Sequence, residues 1–164
     1  MKKIPLSQGK FALVDDEDFD YLNQWKWHAW RNKRAFYALS NIVSGRVRTA
    51  IKMHRLLAQV SDPLLQVDHI DGNGLNNQKS NLRVCLNIQN AMNRGKRKVK
   101  TTSKYKGVNL KIRRSGTIVW VAQIQVDGRK MHIGCFETQE SAALAYNEAA
   151  KEHFKEFAFL NKVQ

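Results

Sequence analysis

"VDHIDGNGLNNQKSNLRVCLNIQNAMNRG", residues 67–95, sets one His, two Asp and seven Asn between apolar runs. Asn and Asp side chains hydrogen-bond the nearby backbone and compete with helix and strand ladders, which sends them to turns and caps. A surface loop has use for several of them. It has no evident use for a His beside an Asp at the end of an apolar strand. The stretch divides into a strand "LQVDHI", a loop "DGNGLNNQKSN", a strand "LRVCL" and a short helix "NIQNAMNRG" capped by Asn87. That order brings the end of the first strand beside the first turn of the helix, so that Asp68 and His69 face Asn90 across a small cleft. A regular strand points neighbours to opposite sides. Both serve one site only if the strand bulges or ends there, which Asp71-Gly72 permits.

Upstream, "KFALVDD", "KWHAW", "AFYALSNI" and "RTAIKM" read as short strands rich in aromatic and β-branched residues. Residues 15–23 suggest a short helix or turn, and "MHRLLAQV" places Met53, Leu56, Leu57 and Val60 on one helical face. Trp25, Trp27 and Trp30 are core or platform residues.

The net charge is +14 with a pI near 10.0. Residues 1–93 carry +5, residues 94–104 ("RGKRKVKTTSK") +6 and residues 105–164 +3. A basic chain without an amphipathic anchor favours nucleic acid over a membrane; a solvated surface with a basic linker is the plain alternative. There is no run of about 18 apolar residues and no apolar signal core, so a cytoplasmic location is expected. Cys85 and Cys135 stand alone in apolar strands and read as buried thiols. The run 94–104 marks a boundary between a unit at 1–93 and one at 105–164. Its Arg94, Lys96, Arg97, Lys98 and Lys100 are expected to follow the phosphate backbone.

In the second unit "YKGVNLKIRR", "IVWVAQIQV" and "RKMHIGCF" are three strands, with Asp127-Gly128 a two-residue hairpin turn. Thr138 caps a helix whose apolar stripe is Ala142, Ala145, Tyr146, Ala149 and His153 or Phe154. The expected fold is α+β: small N-terminal strands and a strand–loop–strand–helix core near 66–94, then a three-stranded antiparallel sheet packed on one helix. Lys106, Lys111, Arg113, Arg114, Arg129 and Lys130 make the strands basic, whereas the helix region 137–156 holds five Glu against two Lys. A free basic face with Gln123 and Gln125 suits the major groove, where Gln pairs with adenine and Arg with guanine.

Residues 105–161, with "YKGV", "IGCFETQESAALAYNEAA" and a closing "LN", resemble the plant ethylene-response-factor (ERF) DNA-binding domain. The resemblance implies major-groove contacts from Lys106, Asn109 and Lys111 on the first strand, Gln123 and Gln125 on the second, and Lys130 and His132 on the third. Several arginines of that family are Lys, Asn or Gln here, so its preferred DNA sequence does not transfer. Residues 67–95 resemble the ββα-metal site of HNH endonucleases of the homing group, with 11 residues between His69 and Asn81 and 8 between Asn81 and Asn90. The preceding "MHRLL" is usual there too. Together the resemblances imply a mobile phage or bacterial endonuclease acting on double-stranded DNA; a monomer on DNA, without membrane attachment, is expected.

The chemistry agrees. Phosphodiester hydrolysis needs a base for water and a cation for the charge on phosphate and leaving oxygen. His69 titrates near neutrality and suits the base. Asp68 and Asn90 offer hard oxygens to one Mg²⁺ or Mn²⁺, which keeps several waters, and Asn81 holds the loop and orients His69. His54 is either a phosphate contact or a packed His; His28 and Asn93 are weaker candidates. Two other classes stay open. A non-catalytic DNA-binding regulator with an HNH-like fold would have favoured an altered Asp68, His69 or Asn90. An RNA-binding module would expose aromatics for stacking, and the basic sheet is poor in them.

Overall fold

Lys2–Pro5 forms β1 and pairs antiparallel with β2 (Phe11–Val14), whose period of two buries Ala12 and Val14. These belong to the computed structural model of the chain, which describes residues 1–32, 35–96 and 102–163. The chain is mixed α+β and divides into two compact units, Met1–Asn90 and Ala91–Gln164. In the first, residues 15–23 form a 3₁₀ turn and the short α1 (Phe19–Leu22). β3 (His28–Arg31), β4 (Phe36–Ser44) and β5 (Val47–Lys52) then make an antiparallel meander. Ile4, Ala12, Val14, Leu22, Trp27, Ala29, Ala38 and Met53 fill the core. Trp27 enters it because its Nε1–H finds the Leu22 carbonyl at 2.7 Å. Trp25 packs at its edge, and Trp30 stays exposed.

α2 (Met53–Leu57) is shorter than the expected apolar face, which ran on to Val60. Gln59 takes a φ of 52°, and the Val60 and Gln59 N–H groups bond back to Arg55 and Leu56. This six-to-one and five-to-two closure ends a helix and satisfies its last carbonyls. Arg55 then ties the following loop, donating to the Leu65 carbonyl at 2.7 Å and to that of Asp62 at 2.8 Å. β6 (Gln66–His69) pairs antiparallel with β7 (Leu82–Cys85), and α3 (Asn87–Met92) follows. Asn87 lies within α3 and not before it; Gln89 closes that first turn by accepting from the Leu86 N–H at 2.8 Å.

In the second unit β8 (Val108–Ile112), β9 (Ile118–Val126) and β10 (Arg129–Phe136) form a sheet of order β10-β9-β8 under α4 (Gln139–Phe154). Asp127 and Gly128 carry φ of 49° and 79°, the paired positive values of a type I′ turn. Thr138 accepts from the Ser141 N–H at 3.1 Å as the α4 cap. The buried face of α4 is Ala142, Ala143, Tyr146, Asn147, Ala150 and Phe154, turned slightly from the expected stripe; Ala145 and Ala149 sit at its border and His153 is exposed. Asn147 enters the core because it exchanges two backbone hydrogen bonds with Asn161, whose own side chain clasps the Lys106 main chain. That is the structural work of the closing "LN". Gly107, at φ 76°, leaves room for the Tyr146 ring, which any Cβ there would meet.

Both cysteines are free, but only Cys85 is buried; Cys135 is exposed on β10, an edge strand that bulges between His132 and Gly134. Among the described residues no helix is long and apolar enough to cross a membrane.

Candidate active site

The N-terminal hairpin builds the site by holding the loop between β6 and β7. Leu13 donates to the Leu75 carbonyl and accepts from the Asn77 N–H, both at 2.8 Å. Asp15 accepts from Gln78 Nε2 at 3.0 Å and from the Lys79 N–H at 2.8 Å. Those two bonds hold its carboxyl below the ordinary range. Within the loop, Asp71 accepts from the Asn73 N–H and from Asn76 Nδ2, each at 2.8 Å. Burial works to raise the Asp71 pKa, but bonds from Asn76, the Asn73 N–H and Asn81 outweigh it and the carboxyl sits low.

Asn81 is the keystone of this loop. Its Nδ2 donates to Asp71 Oδ1 at 3.0 Å and to the Asn76 carbonyl at 2.8 Å, while its Oδ1 accepts from the Asp71 N–H at 3.0 Å. The residue that meets the His69 ring, however, is Asn77. Its Oδ1 lies 3.4 Å from His69 Nε2, and Asn77 has no exposed surface. In the tautomer protonated at Nε2, that contact is a hydrogen bond donated to Asn77 Oδ1. Sequence reasoning missed Asn77 among seven similar residues. Asn77→Leu keeps the size and the backbone bond to Leu13 but removes the acceptor. Orienting partners of a site histidine are typically worth about 10–100-fold in activity. Single-turnover cleavage should slow by about that factor with DNA affinity unchanged; a normal rate would remove Asn77 from the mechanism.

β6 ends at His69, and the two neighbours go separate ways. His69, 5% exposed, turns to Tyr37 (5.8 Å between ring centres) and to His54 (5.1 Å, 79° between planes). Burial lowers its pKa, against raising contributions from Asn77, Asp71 and Asp68, so the imidazole is neutral at pH 7. His54 is a packed histidine, 6% exposed, on which burial and then His69, Lys52 and Arg55 press the pKa down to about 3. Asp68, 7% exposed, presents Oδ2 to Arg83 Nε at 3.0 Å and Nη2 at 2.7 Å. Arg83 stands directly opposite it in the β6–β7 register.

Cys85 is buried on β7, opposite Gln66 in the β6–β7 register. Burial, and then Asp68, pushes that thiol up. Among the described residues no three His, Cys, Asp or Glu side chains gather as a metal cage. A two-donor set of carboxylate and amide oxygen, completed by waters and a substrate phosphate, is what Mg²⁺ accepts, so the residues present fit it.

Beyond α3, Arg94 is exposed and Lys96 half-buried; Arg97, Lys98 and Lys100 lie outside the described residues. In the second unit the register sets Asn109, Lys111, Gln123, Gln125, Lys130 and His132 on the sheet face opposite α4. Arg113 and Arg114 are exposed at the β8–β9 turn, and Arg129 opens β10 on the other parity. Lys106 is the exception. Its Nζ donates to the Met92 and Arg94 carbonyls at 2.8 and 2.7 Å, and burial lowers its pKa to about 8. It fastens the protein's own chain.

A strand–loop–strand–helix run carries His69, Asn81 and Asn90 on a basic chain, and the chain belongs to the HNH endonuclease family. It is 32% identical over 157 residues to an HNH endonuclease of Acanthamoeba polyphaga mimivirus, itself uncharacterised, across 95% of this chain and 77% of that protein. No protein-family model and no solved structure matches the chain.

Proposed function

We propose that the chain is a sequence-selective, metal-dependent DNA endonuclease of the homing type, with its first unit the ββα-metal nuclease. The observation that carries this is the buried His69 at the end of β6, its Nε2 against Asn77 Oδ1 beside a loop locked by Asn81. His69 takes a proton from water, the water oxygen bonds to phosphorus, and the sugar oxygen leaves. Asp68 and Asn90 would hold one Mg²⁺ or Mn²⁺, which would stabilise charge on the phosphate and leaving oxygen. Arg83 holds the Asp68 carboxylate in place.

The second unit is the reader, an ERF-type domain laying the face of Asn109, Lys111, Gln123, Gln125, Lys130 and His132 in the major groove. The cations of residues 94–104 neutralise phosphates between the two, and one copy acts per site. The test is relaxation of supercoiled plasmid in Mg²⁺, with and without chelator, beside His69→Ala. Chelator-resistant or absent cleavage would overturn the reading. For the reader, Gln123→Ala with Gln125→Ala should leave cutting intact but relax site choice. Each lost base pairing is worth about 1–3 kcal/mol of discrimination, read by sequencing the cut ends; unchanged ends would move the reading elsewhere.

A further inference from the structure

The hairpin of β4 and β5 leaves the core of its unit. Leu39 and Ser40 are buried, yet every residue of 41–50 whose side chain is described is exposed, on both faces of the ribbon. Val43 is 67% exposed. Gly45, at φ 59°, begins the two-residue turn, and the ribbon carries Arg46, Arg48 and Lys52 with no carboxylate. Four residue pairs, from Asn41–Ala50 to Ser44–Val47, at about 3.3 Å per residue give an arm roughly 13 Å long up to its turn. A two-stranded ribbon fits a major groove about 12 Å wide.

The two faces differ in chemistry. The register pairs Asn41 with Ala50 and Val43 with Arg48, on the parity of Leu39 and Tyr37; Ile42 and Thr49 pair on the other. The first face thus offers an amide, a guanidinium and a small apolar group, the types that read adenine, guanine and the thymine methyl. The second, with Ile42, Val47 and Thr49, offers a hydroxyl and apolar groups but neither an amide nor a guanidinium. The first face is also continuous with Tyr37, whose ring packs on His54 and His69.

We propose that the Asn41–Val43–Arg48 face of this arm is a second DNA-reading surface, set in the major groove next to the scissile phosphate. The proposal rests on the reading that the chain acts on duplex DNA. It adds that the nuclease unit itself selects sequence, beside the cut.

The test uses the full chain in chelator, so that binding is read without cleavage and failure of the nuclease reading leaves the result interpretable. Binding-based selection from random duplexes compares wild type, Asn41→Ala/Arg48→Ala and the opposite-face pair Ile42→Ala/Thr49→Ala. The first pair should lose one block of the selected sequence and about 5- to 150-fold in affinity for it per contact removed, while the second pair keeps both. Replacing thymine by uracil in the selected duplex should weaken wild type but not Val43→Ser. Thermal melting shows that each variant folds. Unchanged selection in Asn41→Ala/Arg48→Ala, or equal loss in the opposite-face pair, overturns the proposal. So does a dimer of the free protein that Val43→Ser dissociates with DNA selection intact, since the face would then belong to a second copy.

Discussion

His69→Ala should bind DNA as wild type does and cut it about 10²–10⁴-fold more slowly, the usual cost of a lost general base. The ring is 5% exposed, and the loop beside it is held by Asn81, Asp71 and Leu13. Its removal therefore takes away the base without taking down the site. Asp68 is a less clean probe. Its carboxylate is buried against Arg83, and truncating one member of such a pair strands the other charge at a cost of about 3–5 kcal/mol. Asp68→Ala should lose both activity and stability, so Asp68→Asn, read beside a melting curve, separates the cation's oxygen from the ion pair. A wild-type rate from His69→Ala would sink the mechanism.

Much of the local structure was written in short-range chemistry. The alternation of "KFALVDD", the Asp127-Gly128 turn and the Thr138 cap each depend on a few adjacent residues, and the structure has them. The strands flanking the Asn-rich loop were legible for the same reason. What escaped depends on partners far along the chain. Asn77 differs from six other Asn only because Leu13 pins its backbone and closes it from solvent. The Asp68–Arg83 pair needs the β6–β7 register, which no local pattern states. The ERF resemblance puts Lys106 among the groove contacts; its Nζ donates to the Met92 and Arg94 carbonyls, partners no local pattern states. The early stop of α2 turns on one residue, Gln59, in a conformation its side chain does not favour. Cys135 is apolar by type and exposed by its place on a bulged edge strand.

The first unit should also lose stability in mild acid, through His54. In an unfolded chain this imidazole titrates near 6.5; buried beside His69, Lys52 and Arg55 it holds off protonation until about pH 3. The unfolded state therefore takes the proton first as pH falls. Stability is complete above pH 6.5, declines from there, and the loss is finished only near the folded value. At 1.36 kcal/mol per unit the ceiling is about 4–5 kcal/mol, with about 2–3 already gone at pH 4.5. His69, whose pKa is also lowered, pushes the same way. Asp15 and Asp71 sit below the ordinary carboxylate range, so their own losses begin below about pH 4. The window from 6.5 to 4.5 thus isolates the imidazoles. Urea unfolding followed by Trp fluorescence reports mainly this unit, which holds three of the four tryptophans. His54→Leu, apolar and close in size, should unfold with a visibly flatter pH dependence across that window. Equal slopes would mean that His54 is protonated in the folded protein. That outcome would matter for catalysis as well. A cation 5.1 Å from the His69 ring would oppose its taking a proton by about 3 kcal/mol at an effective dielectric of about 20. In the proposed mechanism, a His54 held uncharged by burial removes that opposition.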